Sequence, residues 1–276
     1  MDSETSQYTT TSGLNSLMIT REHDITVITL NSPESINALS EEMLQELHTS
    51  LKDIAQDPDV KVVILRSSGK HFSAGHNLKE MTARRTDKDG GKAYFQKLFD
   101  TCSSVMKAIT RLPQPVIAEV RGIATAAGCQ LVASCDLAVA SEDAKFATSG
   151  VNVGLFCTTP MVALTRNISQ KQAMEMLLLG DFLPASQVAS IGLINRVVED
   201  NKLSEETMAM ARKIADKSPA AIKLGKQAFY KQMEMSLEEA YDYASRVMAD
   251  NMMCRDTKAG IQAFIDKKPM PEWTGE

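Results

Sequence analysis

Val116-Ile-Ala-Glu-Val-Arg-Gly-Ile-Ala-Thr-Ala-Ala-Gly-Cys-Gln-Leu-Val-Ala-Ser-Cys-Asp136 is the stretch on which the reading of this chain turns. With Pro115 before it, its opening makes 115–120 a strand candidate. Small residues then predict a tight turn, and the apolar run after Gly128 opens a helix. A second segment of the same design lies upstream. There the strand candidate 60–66 leads into Gly69-Lys-His-Phe-Ser-Ala-Gly-His-Asn-Leu-Lys-Glu80. At such turns the first helical amides have no intrahelical acceptor and are free to point at an anion. Two of them face to face would make an oxyanion hole from main chain alone.

Outward from these segments, 16–20 and 24–30 alternate apolar and polar residues around a charged turn, Arg21, Glu22 and His23. That pattern signals a β-hairpin. Ser40 suits a helix N-cap, and Met43, Leu44, Leu47, Leu51 and Ile54 follow at helical spacing. A long helix is predicted over 91–112, with Phe95, Leu98, Phe99, Cys102, Val105, Met106 and Ile109 on one face. Residues 137–140 make a further strand candidate. Strand, strand, helix therefore repeats through 16–140, an α/β class with mixed sheets and helices outside.

From Lys171 onward the pattern is helical, apart from a short strand at 192–198 and with a capping box at Ser236-Leu-Glu-Glu239. Three regions follow: a frayed tail over 1–15, a core over 16–200, and a helical region over 201–276. The last is too amphipathic to hide its apolar stripes alone, so it is expected to pack on the core and on neighbouring subunits. Met174, Met176, Met208 and Met210 are expected to fill core.

The chain has 276 residues, which suggests one or two domains, and a net charge of −5 from 30 basic and 35 acidic residues. An acidic chain repels nucleic acid and anionic membranes, so neither is an expected partner. The least polar long stretch, 123–140, is broken by Gln130, Ser134 and Asp136, so no membrane span is expected. Five cysteines form no CxxC pair and four histidines no HxxxH, which argues against zinc and for reduced, buried thiols. There is no GxGxxG after a strand, no GxxxxGK[ST] and no GxSxG, so no dinucleotide loop, triphosphate loop or nucleophile elbow. Asp89-Gly-Gly-Lys92 reads as a helix-start loop. The polar N-terminal stretch lacks an apolar leader, and the expected location is cytoplasmic.

The two segments resemble the crotonase (enoyl-CoA hydratase/isomerase) superfamily. The likeness runs along about residues 16–266. It includes Asn31-Ser-Pro-Glu-Ser-Ile-Asn-Ala-Leu-Ser40, Phe72-Ser-Ala-Gly-His-Asn-Leu-Lys-Glu-Met81, Arg121-Gly-Ile-Ala-Thr-Ala-Ala-Gly-Cys-Gln-Leu131 and Ala185-Ser-Gln-Val-Ala-Ser-Ile-Gly-Leu-Ile-Asn-Arg-Val-Val198. The stretches 124–141 and 150–160 narrow it to one subgroup. The resemblance implies a spiral of ββα repeats with a C-terminal trimerisation region, assembled as a homotrimer or a hexamer. It also implies an acyl-CoA or enoyl-CoA ligand, no separate cofactor, and chemistry of fatty-acid metabolism. The thioester oxygen would lie between the backbone amides of His76 and Ala127. Ser35, Ile36, Ala38, Ala74, Asn77, Leu78 and Lys79 would line the ligand path, Lys79 near phosphates.

Departures from the family pattern shape the expected activity. Its hydratases use two glutamates to activate a water and deliver its proton. Where they would stand, this chain has Gln130 and Gly150, and the family's Asp after the oxyanion residue is Asn77. A neutral amide accepts no proton near pH 7, and glycine has no side chain. Standard hydration is therefore expected to be weak or absent. The alternative is an active acyl-CoA enzyme (isomerase, hydrolase or other lyase) with a different base. Glu142 and Asp143 read as surface, Glu119 and His71 as structural, Cys157 as an inert buried thiol. His76 is expected to act through its main-chain N–H. Restoring both carboxylates, at 130 and 150, is expected to create hydratase activity, with room at Gly150 the weak point.

Overall fold

The computed structural model describes residues 9–10 and 14–276. Of the expected tail, 1–8 and 11–13 lie outside the described residues, while Thr9–Thr10 (β1) pairs antiparallel with Leu17–Glu22 (β2). The hairpin partner of β2 is Ile25–Leu30 (β3), across a turn in which His23 takes φ +55°.

Chain order continues with Glu41–Gln56 (α1), Val62–Ser67 (β4), Leu78–Ala83 (α2), Lys92–Arg111 (α3), Val116–Val120 (β5), Ile123–Thr125 (β6) and Ala127–Ser134 (α4). Leu137–Ser141 (β7), Lys145–Ala147 (β8), Thr158–Leu164 (α5), Gln170–Leu179 (α6), Leu183–Pro184 (β9), Ala185–Ser190 (α7) and Arg196–Val198 (β10) follow. Four helices complete the chain: Leu203–Ala215 (α8), Pro219–Gln232 (α9), Leu237–Met253 (α10) and Arg255–Ile265 (α11).

One sheet runs β1-β2-β3-β4-β5-β7-β10, parallel from β3 onward. Its central strands are buried on both faces, which is why they read as continuous apolar runs. Val63, Leu65, Ala118 and Val120 pack toward Leu44, Leu47, Val105 and Ile109 of α1 and α3. Val62, Ile64 and Ile117 point the other way, onto Leu203, Met210 and Ala211 of α8. The helical C-terminal region thus supplies the second face of the core.

A second sheet, β6-β8-β9, has strands of two or three residues. Such lengths are too short for periodicity to reveal, yet this sheet carries the start of α4.

Helix α9 is tied to the core by Lys226, whose Nζ donates to the carbonyls of Ile109 (3.0 Å) and Gln114 (2.9 Å) and to Asp136 Oδ2 (2.6 Å). Asp136 also accepts from the Tyr230 hydroxyl and the Val116 N–H. One methionine departs from expectation. Met176 and Met210 are buried and Met208 half-buried, but Met174 is 49% exposed. Helical spacing tells which residues share a face, not what covers it.

Candidate active site

The upstream segment, 69–80, is built by Asn37, which is fully buried. Its Nδ2 donates to the carbonyls of Ser68 and His71, both at 2.9 Å, and its Oδ1 accepts from Ser32 N–H at 2.8 Å. Asn37 therefore clamps the 32–37 turn onto the loop after β4. The sequence reading quoted it within a motif and assigned it no task. Ser73 Oγ bonds the Asn37 carbonyl, and the Ser73 main chain pairs with the segment 116–136. Ser73 N–H donates to Ile123 O, and Thr125 N–H donates to Ser73 O, both at 3.0 Å. His71 Nδ1 accepts from Ile123 N–H, the structural task expected of it.

Two segments fifty residues apart in the chain are so laid side by side, and two glycines let them touch. A Cβ on Gly75 (φ +87°) would lie 3.0 Å from Ala126 Cβ and 3.1 Å from Ala127 N. One on Gly128 would lie 2.5 Å from Ser73 O. Between them Ala126 takes φ 49°, ψ −118°, a region costly for any residue with a side chain. Its ψ sets the direction of the next amide, Ala127 N–H. Among the described residues neither Ala127 N–H nor His76 N–H has a hydrogen-bond acceptor.

The 35–39 strip runs along the same edge. Ala74 N–H donates to Ile36 O (3.0 Å) and Leu39 N–H to Gly75 O (2.8 Å). Ser35 Oγ receives Ala38 N–H. Ser35, Ile36, Ala38, Ala74, His76 and Ala127 therefore meet in one place. Asn77 does something different: its Oδ1 caps α2 by accepting from Lys79 N–H and Glu80 N–H. Leu78 and Lys79 are exposed on that helix.

Several buried polar atoms without partners belong to residues of these segments. Of six such atoms among the described residues, four are His76 Nδ1 and Nε2, Gln130 Oε1 and Thr148 Oγ1. The His76 ring stands edge-on to Phe99, with centroids 5.3 Å apart. Burial pushes its pKa down to about 4, opposed more weakly by the Leu39 main chain, so the ring is neutral at pH 7. Gln130 lies one turn into α4 and is 4% exposed. Thr148 follows Ala147, whose carbonyl accepts Ala126 N–H at 3.0 Å.

Gly150 lies in a short 3-10 turn, Ser149–Val153. A Cβ there would sit 2.3 Å from Leu155 O and 2.8 Å from Cys157 Sγ. Its φ is not left-handed, so space rather than backbone conformation demands glycine. The thiol of Cys157 fills the volume a longer side chain would use, and burial raises its pKa. Glu119 is buried and accepts from Ser204 Oγ at 2.9 Å, and Glu142 and Asp143 are exposed. A cleft of about 1330 Å³, lined among others by Arg21, Asp57, Lys61, Lys223 and Trp273, shares no residue with this junction.

The buried neutral imidazole gives a pH signature. Unfolded, His76 takes a proton below about pH 6.5; folded, only below about 4. The unfolded state thus binds more protons between these values, and stability falls as pH drops through that window, by roughly 3 kcal/mol in all. His76→Phe should lack this component. Urea unfolding at pH 7 and pH 4.5 would check it, and equal losses in both proteins would contradict the assignment.

This fold and junction define a class. The enoyl-CoA hydratase/isomerase family model matches residues 20–276, and the chain belongs to that family. Its relatives include enoyl-CoA hydratase domain-containing protein 3, mitochondrial, of Xenopus laevis, 47% identical over 93% of this chain and 85% of that protein. The Homo sapiens protein of the same name is 48% identical over 90% of this chain and 80% of its own length. An enoyl-CoA hydratase crystal structure from Mycobacterium smegmatis superposes with TM-score 0.90 at 50% identity, covering 94% of this chain and 99% of that one. Human enoyl-CoA hydratase domain-containing protein 3 superposes at 0.88 with 45% identity, covering 93% and 100%. The fold is thus crotonase-like, and the subgroup is the one indicated by 124–141 and 150–160. These names also correct the expected cytoplasmic location: the vertebrate relatives are named mitochondrial, which points away from the cytoplasm.

Proposed function

We propose that this chain binds a CoA thioester with its carbonyl oxygen between the N–H groups of His76 and Ala127, polarising it without standard hydration. The observation that carries this reading is the contact of Gly75 with Ala126 and Ala127, which brings two acceptor-free amides together. Such paired donors favour charge developing on a thioester oxygen. The ligand path runs along Ser35, Ile36, Ala38 and Ala74, with Leu78 and Lys79 at its exposed end. CoA comes with the ligand, and no further cofactor is invoked.

Hydration fails for want of proton handling. Each missing acid or base group forfeits about 10²–10⁴-fold, and Gln130 and Gly150 remove two. Isothermal calorimetry with several acyl-CoAs tests the binding half: saturable heat is expected, and its absence at millimolar ligand would sink the reading. Crotonyl-CoA turnover tests the other half. A rate within tenfold of a two-glutamate relative would contradict it.

The same reading places the chain in a homotrimer or hexamer. Leu237, Tyr241, Met248 and Met253 of α10 and Phe264 of α11 are each more than 60% exposed, large apolar side chains that favour a partner surface. Sedimentation at a monomer's mass would contradict it. The relatives' names support a mitochondrial location, which organelle fractionation would test.

A further inference from the structure

We propose that the His76 imidazole is the proton-handling group of this site, taking a proton from C2 of the thioester held by its own main-chain N–H. This rests on the thioester reading above. Three observations lead to it.

The first is that neither buried ring nitrogen has a well-formed hydrogen bond, the Leu39 main chain being the one acceptor that acts on the ring, although buried polar atoms in folded proteins almost always find a partner. A group left unsatisfied in the free protein is one that a ligand can satisfy. Gln130 Oε1, on the helix that opens at Ala127, and Thr148 Oγ1, next to the Ala147 whose carbonyl accepts Ala126 N–H, share this condition.

The second is connectivity. The N–H and the imidazole belong to one residue, so an oxygen bound to the former lies within a side chain's length of the latter. Phe99 stands edge-on to the ring, with centroids 5.3 Å apart.

The third is elimination among neighbours. Gln130 cannot accept a proton, Asn77 is occupied capping α2, and Cys157 is a buried, protonated thiol. The neutral ring has a free lone pair.

The step balances without another reactant. As the ring nitrogen takes the proton, the C2–H electron pair moves into the C1–C2 bond and the carbonyl π pair onto the thioester oxygen. The resulting enolate is held by the two N–H groups. Return of the proton to C2 gives exchange. With a 3-enoyl thioester, return at C4 gives the conjugated 2-enoyl isomer. The substrate class is therefore acyl thioesters with an acidic C2–H, 3-enoyl thioesters foremost.

The test incubates wild type, His76→Phe and His76→Asn with 3-hexenoyl-CoA in D2O. NMR follows deuterium at C2 and the conjugated isomer; calorimetry and thermal melts run on the same samples. Wild type should exchange, and both variants should bind, stay folded and lose at least about 10²-fold in exchange. Absence of binding in wild type would fell the thioester reading and this step with it. Binding without exchange in wild type, or exchange that survives in either folded variant, would overturn the role of His76 alone.

Discussion

Gln130→Glu combined with Gly150→Glu is expected to give a protein that neither hydrates crotonyl-CoA nor keeps wild-type stability. This reverses what the sequence suggests, which is that two carboxylates returned to an intact pocket would suffice. At 150 the obstacle is main chain: Leu155 O lies 2.3 Å from the new Cβ. Leu155 N–H is itself bonded to Gly150 O at 2.9 Å, so the turn closes on its own glycine and cannot open without losing that bond. Cys157 Sγ, at 2.8 Å, blocks the remaining direction. Forcing a side chain into packed space typically costs about 1–3 kcal/mol, more when the neighbour is backbone. At 130 a carboxylate would enter a buried site whose present oxygen has no donor, and burial would favour its protonated form. Crotonyl-CoA turnover and urea unfolding of wild type, both single variants and the double would decide. A stable double variant that hydrates at a relative's rate would show that the 149–153 turn moves aside.

Lys226→Ala should destabilise by about 3–5 kcal/mol, because it leaves the Asp136 carboxylate without its cation and takes a donor from the Ile109 and Gln114 carbonyls. The ammonium is buried, with 6% of its side chain exposed, and its partner carboxylate shows 15%. Burial lowers the lysine pKa while Asp136 raises it. Tyr230→Phe removes one hydrogen bond from the same carboxylate and should cost only about 1 kcal/mol. In thermal unfolding the lysine variant should melt roughly 10 °C lower. A loss below about 1 kcal/mol for Lys226→Ala would mean the network is not what fastens α9 to the sheet.

Much of the fold was legible because burial on both faces leaves a signature. The runs at 60–66 and 115–120 read as strands and the stripe over 91–112 as a helix, and the structure has strands at Val62–Ser67 and Val116–Val120 and a helix at Lys92–Arg111. The small sheet was not legible, since strands of two or three residues have no period. Nor was the outward face of α6, where Met174 shares helical spacing with buried neighbours. At the site, small residues at 75 and 126–128 pointed to two close turns, and the structure adds why: Gly128 must clear Ser73 O, and Gly75 must clear Ala127 N. That Gln130 and Gly150 stand where the family resemblance puts two glutamates was readable in the sequence. Want of room at 150, with Cys157 a candidate for filling it, was readable too; that the Leu155 carbonyl five residues on closes it was not. The unpaired His76 ring and the Asn37 clamp were hidden for the same reason. Whether a polar group is satisfied depends on neighbours that only the folded chain brings near.

The central claim is that His76 and Ala127 polarise a thioester carbonyl with two main-chain N–H groups. The infrared stretch of a saturated acyl-CoA labelled with carbon-13 at C1, recorded free and bound, tests it most directly. Binding should move the band to lower frequency, and His76→Phe, which keeps both N–H groups, should show the same displacement. A bound ligand whose carbonyl band stays at its solution position would contradict the account.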